Sequence, residues 1–144
     1  MKIAVDAMGG DFAPANPVAG AVEALRSNDH ISRLYLVGDK TRIEAELSRL
    51  RFTDSRVEVV HASEIIEMHD PPVQAVRRKK DSSMSRAIDL VKQGAADAVV
   101  SAGNTGALMT AALLKLRTLE GVDRPGLAVL IPAPENVFVL IDVA

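Results

Sequence analysis

Residues 101–109 read Ser-Ala-Gly-Asn-Thr-Gly-Ala-Leu-Met, which places Gly103, Asn104, Thr105 and Gly106 between the apolar run Ala98-Val99-Val100 and a second, helix-favouring apolar run from Ala107 to Leu116. Two glycines around two small hydrogen-bonding side chains, where a strand gives way to a helix, make the composition of an anion site. Glycine lets a ligand approach the backbone, and unpaired N–H groups at a helix start attract negative charge. The Asn104 amide and the Thr105 hydroxyl would add side-chain hydrogen bonds to a phosphate. The same four residues also suit a tight strand-to-helix turn with Thr105 as its cap.

A second glycine-rich stretch, Ala7-Met8-Gly9-Gly10-Asp11-Phe12-Ala13-Pro14, follows the first apolar run and begins beside Asp6. Gly9 and Gly10 supply backbone freedom. A carboxylate does not favour phosphate, so Asp6 and Asp11 are expected to hold the loop or a cation, or to orient a base, and a structural role suits each as well. Neither nucleotide fingerprint, G-x-G-x-x-G nor G-x-x-x-x-G-K-[ST], is present. Arg77-Arg78-Lys79-Lys80 is the densest positive charge in the chain, with Ser82-Ser83 close behind. It reads either as a solvated helix end complementing the C-terminal dipole or as cations reaching an anionic substrate or an acidic protein partner. His30, His61 and His69 lack metal-ligand spacing. His69, just before two prolines, is the histidine to test for proton transfer, and Ser101 lacks the G-x-S-x-G context of a nucleophile elbow.

These loops need strands and helices to position them. Ile3 to Val5, Leu34 to Val37, Val57 to Val60 and Ala98 to Ser101 read as short buried strands. Helices are expected from about Pro17 through Leu25, after the cap Asp39 with Ile43, Leu47 and Leu50 on one face, and over Val73 to Arg78. Another should follow Ser82 or Ser83, with Met84, Ala87, Ile88 and Val91 on one face and Gly94 closing it, and a last one should run to about Leu116. Leu127 to Ile131 and Val137 to Val143 read as a hairpin. Repeated strand–helix alternation with unbroken apolar strands predicts a three-layer α/β/α domain with a largely parallel sheet. In such a sheet ligands bind beyond the carboxyl ends of the strands, where both glycine-rich loops fall.

The totals bound the function. The 144 residues are 48% hydrophobic, enough for a single α/β domain spanning 1–144. A formal charge of -2, a pI near 5.9, three Phe, one Tyr and no Trp argue against nucleic acid as a partner. Without cysteine there is no disulfide, thiolate metal site or cysteine nucleophile in this segment. No secretory or membrane-spanning run is legible, so the cytoplasm is the expected location. The last apolar strand runs into the chain end without a polar tail or a covering helix, as expected for the N-terminal part of a longer enzyme.

Four motifs in order, Asp6-Ala7-Met8-Gly9-Gly10-Asp11, Arg77-x-Lys79-Lys80-Asp81-Ser82-Ser83-Met84, Ser101-Ala102-Gly103-Asn104-Thr105-Gly106-Ala107 and Leu140-x-Asp142-Val143, give a chain that resembles the acyl-acyl carrier protein:phosphate acyltransferase (PlsX) family. The resemblance implies a fold like that of isocitrate dehydrogenase and phosphotransacetylase, and a homodimer. It implies attack of inorganic phosphate on the thioester of acyl-acyl carrier protein; separately, the residues read here lead us to expect no cofactor and no metal site. It also implies peripheral association with the inner face of the membrane. On this basis Gly103, Asn104, Thr105 and Gly106 would cradle phosphate, Lys79, Lys80 and Ser82 would neutralise charge near the substrate, and Asp6, Gly9, Gly10 and Asp11 would organise the neighbouring loop. A phosphotransacetylase-like enzyme using acyl-coenzyme A and a non-catalytic dimerisation module are the alternatives, and this chain alone is expected to be inactive.

Overall fold

In the computed structural model, which describes residues 1–142, a four-stranded parallel sheet carries helices on both faces. The elements are β1 (Lys2–Asp6), α1 (Ala15–Ser27), β2 (Arg33–Gly38), α2 (Lys40–Arg49), β3 (Val57–His61), α3 (Pro72–Arg78), α4 (Ser83–Lys92), β4 (Ala98–Ser101), α5 (Thr105–Leu116), β5 (Leu127–Pro132) and β6 (Val137–Asp142). The sheet order is β3-β2-β1-β4, and β5 and β6 pair separately as an antiparallel hairpin. Val143 and Ala144, with the end of the last expected strand and of the fourth motif, lie outside the described residues.

The alternation along β1 explains the layers. Val5 joins Val18, Ala21 and Leu25 of α1 and Ile43 of α2 in a core on one face. Ala4, pointing the other way, packs with Ala87 of α4 and with Val37 and Ala96. Successive strand side chains point to opposite faces, so one short apolar strand serves two cores. The apolar stripe expected on α4 proves to be divided: Ala87 and Val91 lie on the sheet, whereas Met84 and Ile88 pack against α3 and α5.

Capping chemistry sets where the helices begin. Asp39 accepts from the Arg42 amide at 3.1 Å, and Ser82 accepts from the Ser85 amide at 3.3 Å, as their sequence positions suggest. At α5 the cap is Asn104, whose Oδ1 accepts from the Ala107 amide at 3.0 Å. Thr105, the cap in the tight-turn reading of this loop, is instead the first helical residue. Asn104 has the extended ψ of 110° that a cap requires, and its carbonyl already accepts from Leu108 at 2.9 Å.

Register brings the two glycine-rich loops together. In the parallel ladders Asp6 is level with Ser101 on one side and Val37 on the other, so the loops after β1 and β4 emerge side by side. No helix among the described residues is long and apolar enough to cross a membrane.

Candidate active site

Asp6 ends β1 nearly buried, 2% exposed, and its carboxylate is used on both oxygens. Oδ2 accepts the Ser101 hydroxyl at 2.7 Å and Oδ1 accepts the Met8 amide at 3.2 Å. Ser101 Oγ in turn accepts the Gly103 amide at 3.1 Å. This chain of bonds locks the ends of β1 and β4 in one arrangement. Gly9 is required by the same packing. A Cβ there would lie 2.7 Å from Asp6 Oδ2 and 2.8 Å from the Gly103 nitrogen, closer than carbon approaches either atom. Gly10 has φ +98°, and a side chain there would press on the Ala102 carbonyl. The contacts of Asp6 join the two glycine-rich loops.

Asn104 is 7% exposed, and both ends of its amide are occupied. Besides capping α5, its Nδ2 donates to the carbonyls of Met68 and Asp70 at 3.0 Å and lies 3.4 Å from that of Glu67. The side chain expected to grip phosphate thus fastens the 67–70 segment to the start of α5. Gly106 serves helix packing, because a Cβ there would meet Pro72 Cγ at 2.9 Å, where α3 crosses α5. Thr105 is exposed, and the N–H groups of Thr105 and Gly106 have no acceptor among the described residues. The part of the motif open to a ligand is therefore this first turn of α5.

The basic stretch divides. Lys79 Nζ donates to the Ile65 carbonyl at 2.8 Å and to Asp70 Oδ2 at 2.5 Å, and so ties down the segment that Asn104 holds from the other side. The Lys79 ammonium, helped by the Glu67 amide, keeps the Asp70 carboxyl below its ordinary range. Ser82, 0% exposed, is spent on capping α4. Lys80 is exposed and lines a different cavity, formed by α3, α4 and α5. The structure thus groups Asp6, Gly9, Gly10, Asp11, Gly103, Asn104, Thr105 and Gly106, joins Lys79 to them through the 65–70 segment, and gives Ser82 and Lys80 other surroundings.

Two hollows open at this edge. A polar cleft of about 290 Å³ lies between the 8–13 loop and residues 65–69, lined by Gly10, Asp11, Arg42, Glu67 and His69 among others. Arg42 is the functional candidate that sequence reasoning missed. Its guanidinium reaches the Ala13 carbonyl at 3.2 Å, and nothing local to α2 signals that its first turn faces the loop after β1. An apolar groove of about 480 Å³ runs from Asp6, Gly9, Gly10 and Ser101 along Pro17, Gly20 and Val100. Among the described residues no cluster of three or more His, Asp or Glu is placed to hold a metal. The polar cleft and the apolar groove meet at Gly10 and Asp11, and the Asp6–Ser101 pair lines the groove beside the loop that leads to the free N–H groups of α5, an arrangement that can place an anion beside an apolar chain.

Parallel strands with glycine-rich turns at their carboxyl ends, and helices on both faces, define a three-layer α/β protein. The phosphotransacetylase EutD of Staphylococcus aureus superposes with a TM-score of 0.61 at 22% identity, covering 96% of this chain and 44% of that one. All of residues 1–144 match the family described as fatty acid synthesis protein, and the chain belongs to that family. Phosphate acyltransferases of Methylococcus capsulatus and Fusobacterium nucleatum are 55% and 52% identical over 91% and 92% of the chain. That of Alkaliphilus oremlandii is 48% identical over 99%. The chain spans 39%, 40% and 42% of the length of the Methylococcus, Fusobacterium and Alkaliphilus proteins.

Proposed function

We propose that the whole protein transfers a fatty acyl group from acyl-acyl carrier protein to inorganic phosphate, giving acyl phosphate for phospholipid synthesis. In this reading it works as a cytoplasmic homodimer associated peripherally with the membrane, and residues 1–144 are the N-terminal α/β part of the enzyme. The observation that carries the reading is the Asp6–Ser101 pair, which lines the apolar groove and, through the Gly103 amide on Ser101 Oγ, holds the loop that leads into α5.

Phosphate would sit against the Thr105 and Gly106 N–H groups, with the Thr105 hydroxyl as a further donor. The polar cleft offers the Arg42 guanidinium for the phosphate's remaining charge and His69 as a further hydrogen-bonding group. The acyl chain would follow the groove past Gly20 and Val100. One phosphate oxygen attacks the thioester carbonyl carbon, the C–O bond forms as the C–S bond breaks, and the proton of hydrogen phosphate ends on the departing thiolate. The enzyme forms no covalent intermediate in this scheme, and its contribution is placement and charge stabilisation. Asn104, Lys79, Asp6, Gly9, Gly10, Asp11 and Gly103 act as positioning residues.

The test follows acyl phosphate formation by the full-length protein from acyl-acyl carrier protein, with acyl-coenzyme A as the parallel donor. Product from the carrier-protein donor is expected. Thr105→Ala should raise the KM for phosphate by about tenfold, the scale of a lost hydrogen bond to an anion. Acyl phosphate from neither donor overturns the reading, and product from acyl-coenzyme A alone replaces it with a phosphotransacetylase-like one.

A further inference from the structure

On the face formed by α3, α4 and α5 a cavity of about 630 Å³ is lined by Val76, Arg77, Lys80, Ser85, Asp89, Leu114 and Lys115. None of these residues lines the cleft or the groove described above. The charges within it are unequal. Lys115 Nζ is bound to both oxygens of Asp89, at 2.8 and 2.7 Å, which cancels one cation against the one carboxylate. Arg77 and Lys80 are exposed, and no ion pair among the described residues uses either.

Ser85 adds a second, independent observation. The residue is 0% exposed, and its Oγ has no hydrogen-bond partner among the described residues. A buried hydroxyl without a partner costs about 1–3 kcal/mol, so one retained at the wall of a cavity points to a ligand acceptor. Two unpaired cations and a free hydroxyl call for a compact anion with several acceptor oxygens, and a phosphate group has that form. The cavity is more than a phosphate cradle, because Val76 and Leu114 give it an apolar wall, with Leu114 56% exposed.

We propose that this cavity binds a phosphate monoester, the phosphate between Arg77, Lys80 and the Ser85 hydroxyl, and the organic group against Leu114 and Val76. The inference does not depend on acyl transfer, and its test uses no turnover. In the full-length protein, phenyl phosphate and inorganic phosphate are titrated at matched ionic strength while the Ser85 amide and the Arg77 side-chain N–H are followed by NMR. Saturable shifts with phenyl phosphate are expected, with inorganic phosphate at least about threefold weaker for want of the apolar contact. Ser85→Ala removes only the hydroxyl and should weaken phenyl phosphate by about fivefold while leaving the protein as stable or more so. Arg77→Ala with Lys80→Ala should abolish the shifts. The proposal falls if the shifts appear only at residues 101–106, if sodium chloride reproduces them, if inorganic phosphate binds as tightly as the ester, or if Ser85→Ala binds like the parent. Shifts with acyl carrier protein but none with phenyl phosphate would identify a protein contact in its place and also overturn it.

Discussion

The Ser101 hydroxyl donates to Asp6 Oδ2 at 2.7 Å across 95 positions of sequence, and both residues are the last of their strands. That bond keeps the two glycine-rich loops adjacent. Asp6→Ala would leave the Met8 amide and the Ser101 hydroxyl without their acceptor in a nearly closed site. The expected loss is about 2–3 kcal/mol, against about 1 kcal/mol for Ser101→Ala, which spares the Met8 bond. Urea unfolding of both single variants and the double variant checks this. The losses should be less than additive, since each substitution removes the same bond.

Gly9 and Gly20 should respond oppositely to alanine. At Gly9 the new methyl would sit 2.7, 2.8 and 2.9 Å from Asp6 Oδ2, the Gly103 nitrogen and Ser101 Oγ, all atoms of the locked network. The loops must part to admit it, so Gly9→Ala should lower stability by about 1–3 kcal/mol and abolish any function that needs both loops. At Gly20, inside α1, a Cβ meets nothing within 4 Å. Gly20→Ala should raise stability by about 0.5–1 kcal/mol through helix propensity. Equal thermal shifts in the same direction would contradict the packing described.

Most of the fold was legible because it rests on local patterns. The four parallel strands, the Asp39 and Ser82 caps and the stop at Gly94, with φ +74°, all follow from residues within one turn of the feature they set. The site was legible as a place more than as a set of roles. Gly103 to Gly106 reads as an anion loop, yet Gly106 is explained by Pro72, and Asn104 by three carbonyls more than thirty residues away. Those partners become neighbours only when α3 docks on α5, and no local pattern encodes that. Arg42 was missed for the same reason, its acceptor being the carbonyl of Ala13 in another loop.

Asn104 and Lys79 grip one segment from two sides, through the Met68 and Asp70 carbonyls and through the Ile65 carbonyl and Asp70 carboxylate. Asn104→Ala removes a cap and these ties together, and should destabilise by about 1–3 kcal/mol. Lys79→Met keeps the aliphatic stem and loses the ion pair. Hydrogen exchange should quicken at residues 65–70 in both variants and at the start of α5 only in Asn104→Ala. Thr105→Ala, on the exposed first turn, should leave exchange at 65–70 as it was. Faster exchange there in Thr105→Ala would mean that Thr105 supports the segment.

Asp81 sets a pH dependence that can be read separately. The Ser63 hydroxyl and amide, and then the Arg86 guanidinium, hold its carboxyl at about 2, against an ordinary 3.8. The folded state therefore binds the Asp81 proton less readily than the unfolded chain does. Its contribution is complete above pH 3.8 and is lost as the pH falls towards about 2, where the folded-state carboxyl also protonates. Asp70 and Asp54 are shifted in the same direction, so the parent curve alone will not isolate Asp81. Asp81→Asn supplies the comparison, because it keeps the side-chain shape and loses the charge offered to Arg86 and Ser63. Urea midpoints from about pH 6 down to about pH 2 should converge for the two proteins as the acid limit is approached. A gap that stays constant over that range would mean that the carboxylate charge contributes nothing, and that the Ser63 contacts act through geometry alone.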